Sequence, residues 1–453
     1  MTAHPSCDRL PRMRRVALAG ACALVAVTIA ACSSGTDAFG GDSRDLTGSN
    51  FAGRRLAGPS GPDVPSFGKN LDTRLTVGVV ISSSGTGKDF QQLANGSRVV
   101  PVLVGSDDVE VKVEDDRGTP EGAAAAVAKL RDEGAVAIVY GSVGPSVDPG
   151  IKAAAAAGLP VVLAYDGTPA LLADNPNAFS LALPTPAAAD KMVDFAVDDR
   201  KYAKTAILWD RDTAYGQASA QAVRDALAQR GRTPVFDAGF GVADPTLRPL
   251  ALQAGTTDPD SIFVMGDATS AYRMINELHV TGTGAQMFLA PLAATPTLGS
   301  QDINALAPPV RIGTLSTGLA GGPWNPTPAV RAFYDRRTEA SGKTTADFGV
   351  ADIVSCDATL AVVAAAEKGG TSAGEIRRTL DGMSFDGVGG SYTFKNRVGV
   401  DQDDYALTAY NREPSASQTY VGRQFPDVRT QGGFFVAVPG TAPSLENLNR
   451  FEG

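Results

Sequence analysis

Nucleophilic and metal chemistry needs clustered thiols, imidazoles or carboxylates, and this chain offers few of the first two. Four cysteines and two histidines are spread over 453 residues, as Cys7, Cys22, Cys32, Cys356, His4 and His279. None forms a C-x-x-C or other metal-ligand spacing. Cys356 stands in Ile353-Val354-Ser355-Cys356-Asp357-Ala358, at the opening of an apolar helical pattern, where a thiol reads as a small buried hydrophobe. His279 follows Tyr272-Arg273-Met274-Ile275-Asn276-Glu277-Leu278, the place of a helix-end histidine. No G-x-S-x-G elbow, H-E-x-x-H or Walker loop is present, so the sequence reads as non-enzymatic, with no cofactor and no metal. The chemistry left is recognition by hydroxyls, acids and aromatic rings.

The first residues set a compartment. Arg12, Arg14 and Arg15 precede an apolar run from Val16 to Ala31, the layout of a signal peptide. The run is about 16 residues, short of the ~20 that span a bilayer as a helix. Ile29-Ala30-Ala31-Cys32 resembles the lipobox of bacterial lipoproteins. That resemblance implies a signal peptide over residues 1–31, a diacylglyceryl group on Cys32, and a protein lipid-anchored to the outer face of the cell membrane. No later segment is apolar enough to span. The whole chain carries 40 basic and 49 acidic side chains. Loss of Arg9, Arg12, Arg14 and Arg15 against only Asp8 makes the remainder more acidic. Nucleic-acid binding, which needs a basic stripe, is therefore not expected.

About 420 residues remain, enough for two ordinary domains. Residues 32–72, rich in Gly, Ser, Asp and Pro, read as a flexible tether. Short β-branched runs then alternate with helical patterns. Strands are predicted at 75–81, 109–114, 135–140 and 160–164, with helices at 122–132 and 151–157. After Pro184 and Pro186 the alternation restarts, with strands at 204–209, 233–238, 261–265 and 286–289. Helices at 188–197, 215–230, 246–254 and 269–278 separate them, and further helices at 327–340 and 349–368 precede late strands at 391–394 and 405–410. Thr119-Pro120-Glu121 marks a helix start: a capping hydroxyl, proline at the first position and an acid in the first turn. Such alternation predicts α/β architecture with two successive parallel-sheet units.

Four segments together resemble a known family. They are Val77-Gly78-Val79-Val80-Ile81-Ser82-Ser83-Ser84-Gly85-Thr86-Gly87, Val113-Glu114-Asp115-Asp116-Arg117-Gly118-Thr119-Pro120, Leu208-Trp209-Asp210-Arg211-Asp212-Thr213-Ala214-Tyr215-Gly216-Gln217, and Gly390-Ser391-Tyr392-Thr393-Phe394. They are similar to the branched-chain amino-acid-binding type of substrate-binding lipoprotein of ABC transporters, the type I periplasmic-binding fold. The resemblance, over roughly residues 73–410, implies two doubly wound parallel-sheet lobes with a ligand cleft between them, with first-lobe segments at 73–184 and 313–388 and second-lobe segments at 185–312 and 389–410. Residues 411–453 are an extension of no assigned role. It further implies a small-molecule ligand and ABC permease subunits as partners.

The resemblance also nominates ligand-binding residues. In Gly141–Ser146 the family holds a ligand carboxylate; here Ser142, Ser146 and the N–H groups of Gly144 and Ser146 stand in, with an ordinary turn as the alternative. Asp166 faces a ligand cation or solvent, and Thr168 bonds the ligand or caps a helix. Tyr215 packs its ring on the ligand; Phe90 does the same or fills the core. Leu292 occupies the place where amino-acid-binding members carry an acid for the ligand ammonium, and Asp267 is the nearby substitute. Plain leucine, isoleucine and valine are therefore expected to bind poorly. The expected solute lacks an α-ammonium or sets its cation against Asp166 or Asp267. Delivery of an amino-acid-like or related metabolite to an ABC importer is the leading function; a ligand-sensing receptor of the same fold is the alternative, and an exported α/β enzyme ranks below both.

Overall fold

The computed structural model describes residues 65–68, 70–84, 92–241, 243–293, 314–319, 328–341, 350–400, 405–410, 428–431 and 434–437. Cys32 and Phe90 lie outside them.

The first sheet holds β1 (Leu75–Ile81), β2 (Val109–Asp115), β3 (Ala137–Tyr140), β4 (Val161–Leu163) and β5 (Ala178–Ser180), in the order β2-β1-β3-β4-β5 and parallel throughout. β1 is central and buried along its whole length, as its uninterrupted apolar run requires. β2 alternates in sequence, but it is an edge strand, half-exposed beyond Val109, so both faces rather than one are wet. The second sheet holds β6 (Thr205–Asp210), β7 (Phe236–Phe240), β8 (Ser261–Met265), β9 (Gln286–Leu289) and β10 (Thr314–Leu319). Its parallel part runs β10-β9-β8-β6-β7, the same winding as the first sheet. β11 (Ser384–Asp386) and β12 (Ser391–Thr393) form a separate antiparallel pair, and beyond β10 in the second sheet lie β13 (Tyr405–Tyr410), β15 (Phe434–Ala437) and β14 (Val428–Gln431), all antiparallel. The segment past residue 410 thus supplies two further strands, of which β14 forms the edge.

Three boundaries differ from expectation. β10 belongs to the second sheet, so that lobe runs beyond residue 312. Residues 391–400 stay with the first lobe: Phe394 packs edge-on against Phe179 at 5.6 Å, and Ser180 N–H donates to Arg397 O at 2.9 Å. Only β13 joins the second sheet. The end of the tether is docked rather than free. Phe67 and Leu71 pack on the core, and Glu367 accepts Gly68 N–H at 2.6 Å and Asn70 Nδ2 at 3.0 Å.

Helix Gln92–Val104 was not foreseen, because Gly96 and an internal Pro101 argue against a helix. Tertiary contact overrides that preference. Ser97 Oγ donates to Ser355 O at 3.1 Å, and a Cβ on Gly96 would strike Asp352 O and Ser355 Oγ of helix Val350–Gly369. The glycine lets the two helices touch. The expected helix at 188–197 instead runs as α-helix Thr185–Val193 continued by a π-helical stretch, Asp194–Asp199. Arg230 reaches Asp190, Asp194 and Asp198 along it at 2.8, 3.2 and 2.7 Å. Among the described residues, no helix is long and apolar enough to cross a membrane.

Candidate functional site

In a sheet of order 2-1-3-4-5, ligands sit beyond the carboxyl ends of the strands where the winding reverses. In the first lobe that point lies between β1 and β3. The loop after β1 is tied down by the acidic signature. Ser82 Oγ donates to Asp116 Oδ1 at 2.6 Å, Ser83 N–H to Asp115 Oδ1 at 2.9 Å and Ser84 Oγ to Asp115 Oδ2 at 2.5 Å. Burial pulls the Asp115 carboxyl upward, but hydrogen bonds from Ser84, Arg117 and Ser83 outweigh it and set it below its usual range. Tyr140 OH, buried under β3, reaches both Asp116 Oδ2 at 3.1 Å and Ser146 O at 2.9 Å. The Asp115-Asp116 pair is therefore a strut that holds two site loops in register.

The loop after β3 carries Ser142 and Ser146, which are 1% and 0% exposed. Neither Oγ has a hydrogen-bond partner. Buried hydroxyls are ordinarily satisfied; these two, on one strand-end loop, are not. Gly144 is required by its backbone: its φ is +86°, while a Cβ there would meet nothing. Ser146 is the N-cap residue of helix Val147–Ala156 but makes no side-chain cap bond, which leaves its hydroxyl uncommitted.

β4 neighbours β3, so its loop lies alongside. Asp166 is 5% exposed and accepts Thr168 N–H on Oδ1 at 2.9 Å. Desolvation raises its carboxyl above the ordinary value, against the lowering effect of Thr168. Thr168 Oγ1 is buried and makes no hydrogen bond of good geometry, though it lies near enough to favour the Asp166 anion. Thr168 does not cap the next helix, Ala170–Ala173, whose N-cap residue is Pro169. Burial also pushes the Tyr165 hydroxyl up to about 12.

In the second lobe the equivalent point lies between β6 and β8. Thr213 caps helix Ala214–Gln229 by accepting Gly216 N–H at 3.1 Å, which sets Tyr215 in the first turn. Tyr215 is 4% exposed, and its OH accepts Leu292 N–H at 3.2 Å. Desolvation raises that hydroxyl, the Leu292 N–H opposes it, and the Asp166 charge from the first lobe adds to it. Leu292 follows β9 and is buried in the same core cluster as Tyr215. It positions the tyrosine through its backbone. Asp267 is committed as well: its Oδ1 takes Ser270 N–H at 2.9 Å, and its carbonyl takes Ser270 Oγ at 3.2 Å, capping helix Ala268–Val280.

Asp210 was not foreseen. It is fully buried at the end of β6, and its Oδ1 accepts Asp212 N–H at 2.9 Å while Oδ2 has no partner of good geometry. Desolvation raises its carboxyl, and the Asp267 charge adds to that. A signal for it was present: Asp116–Gly122 and Asp210–Gly216 both read D-R-x-T-x-x-G. In both copies the first Asp accepts the N–H two residues on, and the Thr accepts the Gly N–H three on. A Cβ on either Gly would strike the Asp carbonyl. The structure thus brings Tyr215 against Leu292 and within the field of Asp166, and sets Asp267 beside Asp210. Of the buried thiol and the histidine, Cys356 is fully buried and desolvation raises its thiol, while the side chain of His279 lies outside the described residues.

A family model described as Periplasmic binding protein matches residues 75–414. No curated protein matches the chain. Among solved structures, the leucine binding protein LivK of Thermotoga maritima MSB8 is 17% identical with a TM-score of 0.63, over 74% of this chain and 95% of that one. The LivJ protein of Streptococcus pneumoniae, solved with isoleucine, is 16% identical with a TM-score of 0.62, over 75% and 96%. A solute binding protein of an ABC transporter from Rhodopseudomonas palustris BisB5, solved with 3,4-dihydroxy benzoic acid, is 15% identical with a TM-score of 0.64, over 83% and 99%. These likenesses are of fold. The family match spans both sheets, from β1 to β13, and on it this chain belongs to the periplasmic binding protein family.

Proposed function

We propose that this protein captures a small solute where the strand ends of its two sheets meet and delivers it to the permease subunits of an ABC importer. A lipid on Cys32 tethers it to the outer face of the membrane, and residues between that anchor and Pro65 form the tether. The observation that carries the reading is the pair of buried, unpartnered hydroxyls of Ser142 and Ser146 on one strand-end loop. An unmade buried hydrogen bond costs about 1–3 kcal/mol, which a bound solute would recover. Relatives in fold hold isoleucine and 3,4-dihydroxy benzoic acid, small molecules of the size such a site takes.

Thermal-shift screening of residues 65–453 against a metabolite library tests this. A solute that binds the folded state alone raises the melting temperature by mass action. Ser142→Ala with Ser146→Ala should then weaken the hit at least tenfold. A hit of unchanged affinity in the double variant counts against this site. Anchoring is tested separately: wild-type protein should fractionate with membranes and carry a diacylglyceryl mass, while Cys32→Ala is released.

A further inference from the structure

We propose that Asp166 recognises a positively charged group of the solute, so that the accepted class is a small amine or amidine cation held from the first lobe. This rests on the solute-capture reading and narrows it. Asp166 is 5% exposed, and the described partners of its carboxylate all come from one residue: Thr168 N–H donates to Oδ1 at 2.9 Å, and the Thr168 hydroxyl lies near enough to favour the anion. Among the described residues no Lys or Arg pairs with it; their ion pairs all lie elsewhere. A buried carboxylate without a cationic partner is costly, and a cation beside it lowers that cost. Burial disfavours the Asp166 anion, and an arriving cation would reverse the preference.

The surroundings suit a cation. Tyr165 is the preceding residue, and Tyr215 of the other lobe feels the Asp166 charge. Aromatic faces attract cations, more so when desolvated. The other acids near the meeting point are differently placed. Asp267 is spent on capping a helix, and Asp210 is fully buried beside it. Asp166 combines burial with the absence, among the described residues, of a cationic partner, and Tyr215 of the other lobe lies within its field.

The test is a panel of benzamidine, agmatine and putrescine against benzoate and leucine, read by thermal shift and then calorimetry on residues 65–453. At least one cation should stabilise the protein. Asp166→Asn should weaken that binding tenfold or more, while Asp225→Asn, a surface change of equal charge on helix Ala214–Gln229, should leave it within twofold. Circular dichroism and the unliganded melting temperature check that Asp166→Asn folds, and the panel on wild-type protein decides independently of the variant. Stabilisation by benzoate or leucine with none by the cations overturns the charge assignment and leaves solute capture standing. A cation bound equally well by Asp166→Asn overturns it too. No stabilisation by any member counts against this inference, and a blank in the wider metabolite library then removes solute capture as well.

Discussion

Asp357 shows how one buried carboxyl ties a loop and adds a pH dependence. It sits on helix Val350–Gly369 with no exposure, accepting Val388 N–H at 2.5 Å, Gly389 N–H at 2.9 Å and Tyr392 OH at 2.6 Å. Desolvation outweighs those three donors and raises its pKa from 3.8 to about 7. An acid whose folded pKa lies above its unfolded value stabilises the fold most below the unfolded pKa. That contribution falls as pH rises from about 4 to about 7 and is flat beyond. Asparagine removes the titration but also one acceptor. Wild type should therefore be more stable than Asp357→Asn, by a margin that narrows by a few kcal/mol across that window. Denaturant melts of both proteins at pH 4, 5, 6 and 7 check it, and a constant margin refutes the shift. Taking the difference cancels the other acids, several of which are lowered by arginine or serine partners. At this scale the strand-end loops that carry the candidate residues were legible, because Gly, Ser and Asp after β-branched runs announce strand ends. The sequence could not show which hydroxyls lack partners. Ser142 and Ser84 look alike in sequence, yet Ser84 Oγ donates to Asp115 and Ser142 Oγ to nothing.

Between elements, three glycines make one comparison. Gly96 in helix Gln92–Val104 has no room for a Cβ, since helix Val350–Gly369 lies against it. Gly96→Ala should cost roughly 1–3 kcal/mol by overpacking, more if the helices part. Gly105 has open space but a φ of +63°, so alanine there should cost about 1–2 kcal/mol through its backbone alone. Gly255, near the end of helix Arg248–Thr256, has open space and no positive φ. Alanine there should stabilise by roughly 0.5–1 kcal/mol. Chemical denaturation of the three variants checks both the order and the sign. The same contrast explains what the sequence withheld. Strands 261–265, 286–289 and 405–410 agree with expectation to the residue, because their apolar runs are short and sharply bounded. Helix Gln92–Val104 is set by its neighbour rather than by its own propensity. β10 (Thr314–Leu319) contains Ser, Thr and Gly and gains its place from pairing β9 and β13.

At the scale of the molecule, two sheets of like winding share one core. A single apolar cluster includes Val79 and Val139 of the first sheet with Ile207, Phe263 and Phe288 of the second. The chain leaves the first sheet after β5, returns after β10 and leaves again before β13, so three passages join the lobes. Few strands in a joint of this kind permit a hinge, and ligand-driven closure is the form of motion it supports. Such closure would bring polar groups of both lobes onto one solute, and its energy would have to come from contacts absent in the open form. Tyr215 is the group to watch. Its hydroxyl is held by Leu292 N–H within its own lobe, while the Asp166 field reaches it from the other. If the ring closes over a solute seated on the first lobe, Tyr215→Ala should weaken binding by tenfold or more, while Tyr215→Phe keeps most of the affinity. Small-angle scattering should show a smaller radius of gyration on saturation of wild type, and no change for Tyr215→Ala under the same conditions. An unchanged radius in saturated wild type would reject closure while leaving capture intact. Loss of affinity in Tyr215→Phe equal to that in Tyr215→Ala would assign the effect to the hydroxyl and its Leu292 bond instead of the ring.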